Sequence, residues 1–228
     1  MTRLLSRLIA AGFGLVVATA AIAQPNERFD LLVRGDMFAG FEGDEEAFDR
    51  ALALCEKRLA ENPNHAQALV WHGAATFFRG GRAFAAGGRD QALAFFRQGS
   101  AEMNRAVALA PDDVGVLIPR GAILLAAGLA MPDGERAREY IRTAVGDYER
   151  SMGLQQPYWA SMSVHARGEL AGGLAEAWSR LGETEKARAH LMRIVAELPG
   201  KYADAANERL TDPTSRRQIT CLGCHVRQ

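Results

Sequence analysis

The chain has 228 residues, of which 48% are hydrophobic and 24% charged. These are the proportions of a folded globular protein and exclude a disordered one. The 27 basic and 27 acidic residues cancel, which argues against nucleic acid as the main partner, because a phosphate-reading surface needs a basic excess. Three cysteines are too few for a disulfide scaffold.

The first segment reads as an address. Arg3 and Arg7 give a positive start, an uncharged apolar run follows from Leu8 through Ala23, and the run ends in Ala21-Ile22-Ala23. That is the pattern of a signal peptide, residues 1–23, with cleavage expected after Ala23. An uncleaved anchor is the alternative, but the run is short for a bilayer span. No cysteine stands directly after the cleavage site, so a lipid anchor is not indicated. No later stretch is long and apolar enough to cross a membrane. Cleavage removes two arginines and no acid, leaving a slight acidic excess. The mature chain is therefore expected outside the cytoplasm, in bacterial terms in the periplasm, where cysteines meet an oxidising environment.

The mature chain shows helix-period hydrophobicity almost throughout, and no stretch alternates cleanly with period two. Helix stops recur at Asn62-Pro63-Asn64, Ala110-Pro111-Asp112, Gln156-Pro157 and Leu198-Pro199-Gly200. Their spacing is on the scale of a helical repeat, so the expectation is an all-α solenoid of paired helices over 24–210. Phe29, Leu32 and Phe38 belong to a first helix, residues 44–63 to a second, and residues 202–210 to a closing helix.

Leu69, Gly73, Met103, Ala106 and Pro111 mark an early unit that is longer than the usual period. The run Arg79-Gly-Gly-Arg-Ala-Phe-Ala-Ala-Gly-Gly-Arg89 within it reads as a lengthened inter-helix loop. A phosphate cradle there lacks the preceding strand and the Gly-Lys-Ser/Thr signature. Leu117, Gly121 and Leu124 begin the next unit, followed by a helix from about Glu135 to Ser151.

The last unit is the clearest. Leu174 and Trp178 occupy apolar positions of its first helix, Gly182 stands at the turn, and Ala187 is small enough for a close helix crossing. Leu191 and Ile194 form the apolar face of the second helix, which Pro199 ends. This unit resembles a tetratricopeptide repeat. The resemblance implies stacked hairpins with a concave face that grips a peptide or protein partner.

After Leu210 the pattern stops. Residues 211–220 are polar and helix-breaking, a tether of about 17–19 Å if it behaves as a flexible coil. Then come Cys221-Leu222-Gly223-Cys224-His225. C-x-x-C-H is the attachment motif of c-type haem: two thiols reach the two vinyl groups of one porphyrin, and the adjacent histidine is delivered to the iron. Cys221 and Cys224 are thus the expected covalent haem residues and His225 the proximal iron ligand. A Cys221–Cys224 disulfide and a zinc site are the alternatives. Zinc lacks a second ligand pair, and a thiol oxidoreductase lacks its usual βαβ setting.

The motif departs from ordinary small cytochromes c, where a wrapping domain and a distal methionine follow it. Any sixth ligand here must come from the helical array or from another protein. His165, beside Trp159, is the first candidate distal ligand; His190 is the other nearby histidine, and Met152, Met162 and Met192 are thioether candidates. A five-coordinate or water-bound iron is equally open. Cys55 lies on an amphipathic helix and reads as a small buried hydrophobe. Ser163, His165 and Glu169 lack a nucleophile elbow.

The expected protein is an exported helical scaffold carrying one haem c, for electron transfer or redox sensing in a periplasmic complex, and not an enzyme. It docks a protein partner on its repeat surface and binds no nucleic acid. A haem-free periplasmic adaptor, for assembly or cytochrome c maturation, is the alternative.

Overall fold

The structure, a computed structural model, describes residues 28–215 and 217–220. The expected signal peptide and the Cys221–His225 motif lie outside the described residues.

The all-α expectation holds. Nine α-helices fill the described residues: α1 (Phe29–Phe41), α2 (Glu45–Glu61), α3 (Ala66–Ala85), α4 (Arg89–Leu109), α5 (Val114–Ala130), α6 (Glu135–Gln155), α7 (Val164–Leu181), α8 (Thr184–Glu197) and α9 (Lys201–Thr211). A 3₁₀ turn, Gln156–Ser161, separates α6 from α7. They pack as hairpins α1–α2, α3–α4, α5–α6 and α7–α8, with α9 laid on α8. The first helices α1, α3, α5 and α7 also touch in sequence and form the inner row.

Side-chain caps start four of the helices, and a glycine ends α7. Asp44 accepts the Ala47 N–H at 3.0 Å to start α2, and Ser163 accepts the Ala166 N–H at 3.1 Å to start α7. His65 caps α3 through Nδ1, 3.2 Å from the Ala68 nitrogen. Asp113 accepts the Gly115 N–H at 2.8 Å to start α5. Gly182 ends α7 at φ 84°, a left-handed conformation that glycine adopts without steric cost.

The core follows the helical stripes. Phe29, Val33, Met37 and Phe41 are buried on α1, Phe48, Leu52 and Cys55 on α2, and Leu174, Leu191 and Ile194 in the last hairpin. Ala187 is buried where α8 crosses α7, as its small side chain implies. Phe29, Leu32 and Phe38 all lie on α1 as expected, with Leu32 on its outer side at 44% exposure. The buried stripe of α1 runs through Val33 and Met37, one position round the helix from Leu32.

Two expectations need correction. The Arg79–Arg89 run is not a long loop: α3 continues to Ala85 and only Ala86 to Gly88 connect it to α4. Glycine weakens an isolated helix, but here it permits close packing. A Cβ on Gly80 would lie 2.7 Å from the Phe96 ring, and one on Gly99 would lie 2.5 Å from the Gly73 carbonyl. The arginines are occupied as well. Arg79 stacks over Phe48 at 5.5 Å, and Arg82 pairs with Glu45 of α2. The extra length of this unit therefore goes into two long helices.

The second correction concerns the tail. Part of the expected flexible tether is docked: Ile219 is 4% exposed and Thr220 5%. Tyr202 of α9 lies against Gly168 and Arg209 lies near Glu176, so α9 runs alongside α7 in the same direction. A turn at Asp212–Ser215 then reverses the chain, Arg217 returns to Glu208 at 3.1 Å, and Ile219 and Thr220 settle on α7.

Candidate functional site

The inner row encloses a cavity of about 300 Å³, at the small end of ligand-sized clefts. Its wall is mostly apolar and aromatic, from Phe38, Trp71, Ile118, Ile123, Tyr148 and Leu170. Residues of both α1 and α7 line it, so the first and last hairpins face one space. The array curves enough to bring residues about 135 positions apart onto a single cavity.

Polar groups sit at its two ends. At the α1 end, Arg28 clasps Asp30 with contacts of 2.9 and 2.7 Å. The Asp30 N–H donates to Gln67 Oε1 at 3.1 Å, and Gln67 Nε2 donates to Asp113 at 2.7 Å. This chain of bonds ties the starts of α1, α3 and α5 together. Arg34 adds a further cation to the lining.

At the α7 end stand His165, Glu169 and Met162. The Tyr202 hydroxyl donates to Glu169 Oε1 at 3.0 Å. Its oxygen lies 2.9 Å from His165 Nδ1 and can accept a hydrogen bond from the Nδ1–H tautomer. In that tautomer Nε2 keeps its lone pair, the arrangement by which an orienting partner readies a histidine for a ligand. The His165 side chain is 66% exposed, so the ring is accessible.

The other sequence candidates fall elsewhere. His190 is half-buried on α8, where burial and the Arg193 cation push its pKa down. Met192 is 54% exposed on α8, and Met152 is buried, with Arg193 Nη1 3.3 Å from its sulfur. His72 binds Glu102 at 2.6 Å across the α3–α4 hairpin. His165 and Met162 alone of the named candidates line the cavity. Ser163 is spent as the α7 cap, and Glu45 and Glu46 lie in the first turn of α2, where the helix dipole favours acids. Cys55 is fully buried, and burial pushes its thiol up to about 12.

Sequence reasoning missed one residue. Glu176 is 6% exposed, in the middle of α7. Its Oε1 accepts the Ile219 N–H at 2.8 Å, with the Thr220 N–H at 3.5 Å, and its Oε2 accepts the Thr220 hydroxyl at 3.1 Å. Arg209 Nη1 stands 3.8 Å away. Gly172, one turn back, is the floor beneath the tail: a Cβ there would lie 2.6 Å from Ile219 Cγ2. Burial raises the Glu176 pKa despite these donors. A glutamate between Leu174 and Trp178 gives no sequence signal of its own, because its partners lie more than forty residues away.

Among the described residues no group of three or more histidine, cysteine or acidic side chains could hold a metal ion. No helix among them is long and apolar enough to cross a membrane. The fold and this inner groove define an all-α protein of stacked helical hairpins. No protein-family model matches the chain, and neither does any curated protein or solved structure.

Proposed function

We propose that this chain is an exported helical scaffold that carries one covalent c-type haem on Cys221 and Cys224, with His225 as the proximal iron ligand, and serves electron transfer or redox sensing in a periplasmic protein complex. The C-x-x-C-H motif is the basis of the reading. The structural observation that supports it is the anchored tail: Thr220, directly before Cys221, is buried against Gly172 and Glu176 of α7, the helix that also carries His165. A prosthetic group on that motif starts from a fixed point beside the groove.

When bound, the haem would supply a one-electron couple at its iron. The protein would supply the rest. Cys221 and Cys224 would hold the group covalently, and His225 would ligate its iron. The aromatic wall of the groove would keep water from an apolar surface laid against it. His165, held by Tyr202, and Met162 line the groove and would be the array's candidates for a further iron ligand.

The test is the mature protein made in a host competent for cytochrome c maturation. The expected result is a coloured protein heavier by one haem, with the leader removed after Ala23. Replacing both cysteines with alanine (Cys221→Ala, Cys224→Ala) abolishes the colour. His225→Ala changes the visible spectrum more than any other histidine replacement, with His165→Ala next. A colourless protein of polypeptide mass rejects the reading and favours the haem-free adaptor, for which the aromatic groove would be the partner site.

A further inference from the structure

Protein interiors are close-packed, and voids larger than a water are few in them. The space enclosed by the inner row is about 300 Å³, the share of roughly ten waters. Phe38, Phe41, Ile118, Ile123 and Leu170 on its wall offer such waters no hydrogen bonds. Displacing poorly held water by an apolar body is favourable. The volume suits a body on the order of ten to fifteen non-hydrogen atoms, too small for more than about two residues of a peptide.

The charges at the two ends differ in sign. At the α1 end, Arg28 and Asp30 neutralise each other. Arg34 lines the same end, and its guanidinium has no ion pair or hydrogen bond among the described residues. Phe38, one turn further along α1, meets the Trp71 ring edge-on with centroids 5.7 Å apart. Trp71 also lines the cavity and is 3% exposed, yet its indole N–H has no acceptor among the described residues. Guanidinium and indole are donors only, and a buried donor without an acceptor is costly. This end therefore calls for an acceptor carrying negative charge. At the α7 end the charged side chain is Glu169, which repels an anion. The cavity thus orients a molecule that is acidic at one end and apolar along its length.

We propose that the inner groove is a binding site for a small free monocarboxylic acid with an aromatic or branched aliphatic body, its carboxylate on the Arg34 and Trp71 side and its body against Phe38, Ile118, Ile123 and Leu170. The site rests neither on the haem reading nor on residues 221–225.

The test is calorimetric titration of the mature chain with probes of one shape and different charge: phenylbutyrate, its primary amide, and phenylbutylamine. The acid binds once per chain. The amide binds about tenfold more weakly, the worth of one charged hydrogen bond, and the amine more weakly still. Arg34→Gln brings acid and amide level, whereas Arg97→Gln on the exposed face of α4 changes neither. Ala122→Leu fills the space and abolishes binding of both. Arg34 is exposed, so its variant keeps the fold even if Ala122→Leu does not. In the NMR spectrum the acid shifts the Trp71 indole N–H resonance, assigned through Trp71→Phe, and leaves that of Trp178 in place. No binding, equal affinity for acid and amide, indifference to Arg34→Gln, or an unmoved Trp71 resonance overturns the proposal. So does tighter binding of a peptide ending in phenylalanine, which assigns the groove to a protein partner. The Cys221→Ala, Cys224→Ala chain is titrated beside the native one, and equal affinities are expected. Binding by that variant alone gives the groove to the haem and overturns the acid.

Discussion

Tyr202 packs directly on Gly168: a Cβ on that glycine would sit 2.3 Å from the ring, whose hydroxyl spans His165 and Glu169. The absence of a side chain at position 168 is what lets α9 organise the polar end of the groove. Gly168→Ala should therefore lower stability by about 1–3 kcal/mol, the cost of overpacking, although alanine is the better helix former by about 1 kcal/mol. Thermal unfolding would show the loss. An unchanged or higher midpoint would mean that the ring moves aside freely.

Glu176 predicts a pH dependence of known sign. Burial holds its pKa above the ordinary carboxylate value, outweighing the tail and Arg209 contacts that pull the other way. A group so raised binds its proton more tightly when folded. Its stabilising contribution is complete below the unfolded carboxylate pKa and is lost as pH climbs through the raised value. Denaturant unfolding across that interval should show wild type losing stability relative to Glu176→Gln, with parallel profiles below it. Profiles parallel throughout would contradict the assignment.

Arg120 and Asp147 join α5 to α6 through contacts of 2.8 and 2.6 Å, with only 13% and 3% of their side chains exposed. Burial raises the Asp147 pKa even with Arg120 beside it. Arg120→Leu strands that acid and should cost about 3–5 kcal/mol in urea unfolding. Adding Asp147→Asn should recover part of the loss, because the stranded charge is then gone.

Cys55 should be silent toward thiol reagents. It is fully buried and its thiol is pushed up to about 12, so almost no thiolate exists at pH 8. Alkylation followed by mass measurement should find it unmodified in the folded protein and modified after denaturation. Any thiol labelled under native conditions then reports on Cys221 and Cys224.

Sequence legibility divided along the range of the interactions. The prolines that end α2, α4, α6 and α8, the left-handed Gly182 and the small Ala187 all act within a few residues of themselves, and each was readable. The Arg79–Arg89 run was not. Its glycines look like loop punctuation until Phe96 and the Gly73–Gly99 crossing show that they make room for α4. At the candidate site, His165 was visible as a residue type near Trp159. Its contact with Tyr202 and the burial of Glu176 were hidden, since both depend on α9 and the tail folding back across nearly forty residues or more.

The sharing of one cavity by α1 and α7 has an evolutionary consequence. In an open-ended array, duplicating or deleting a hairpin merely lengthens or shortens a ribbon, and neighbouring surfaces survive intact. Here an inserted pair would separate the walls of the chamber, and a lost pair would collapse it. The hairpin count is therefore constrained by what the chamber holds, and divergence should proceed through side-chain exchange on a fixed number of units.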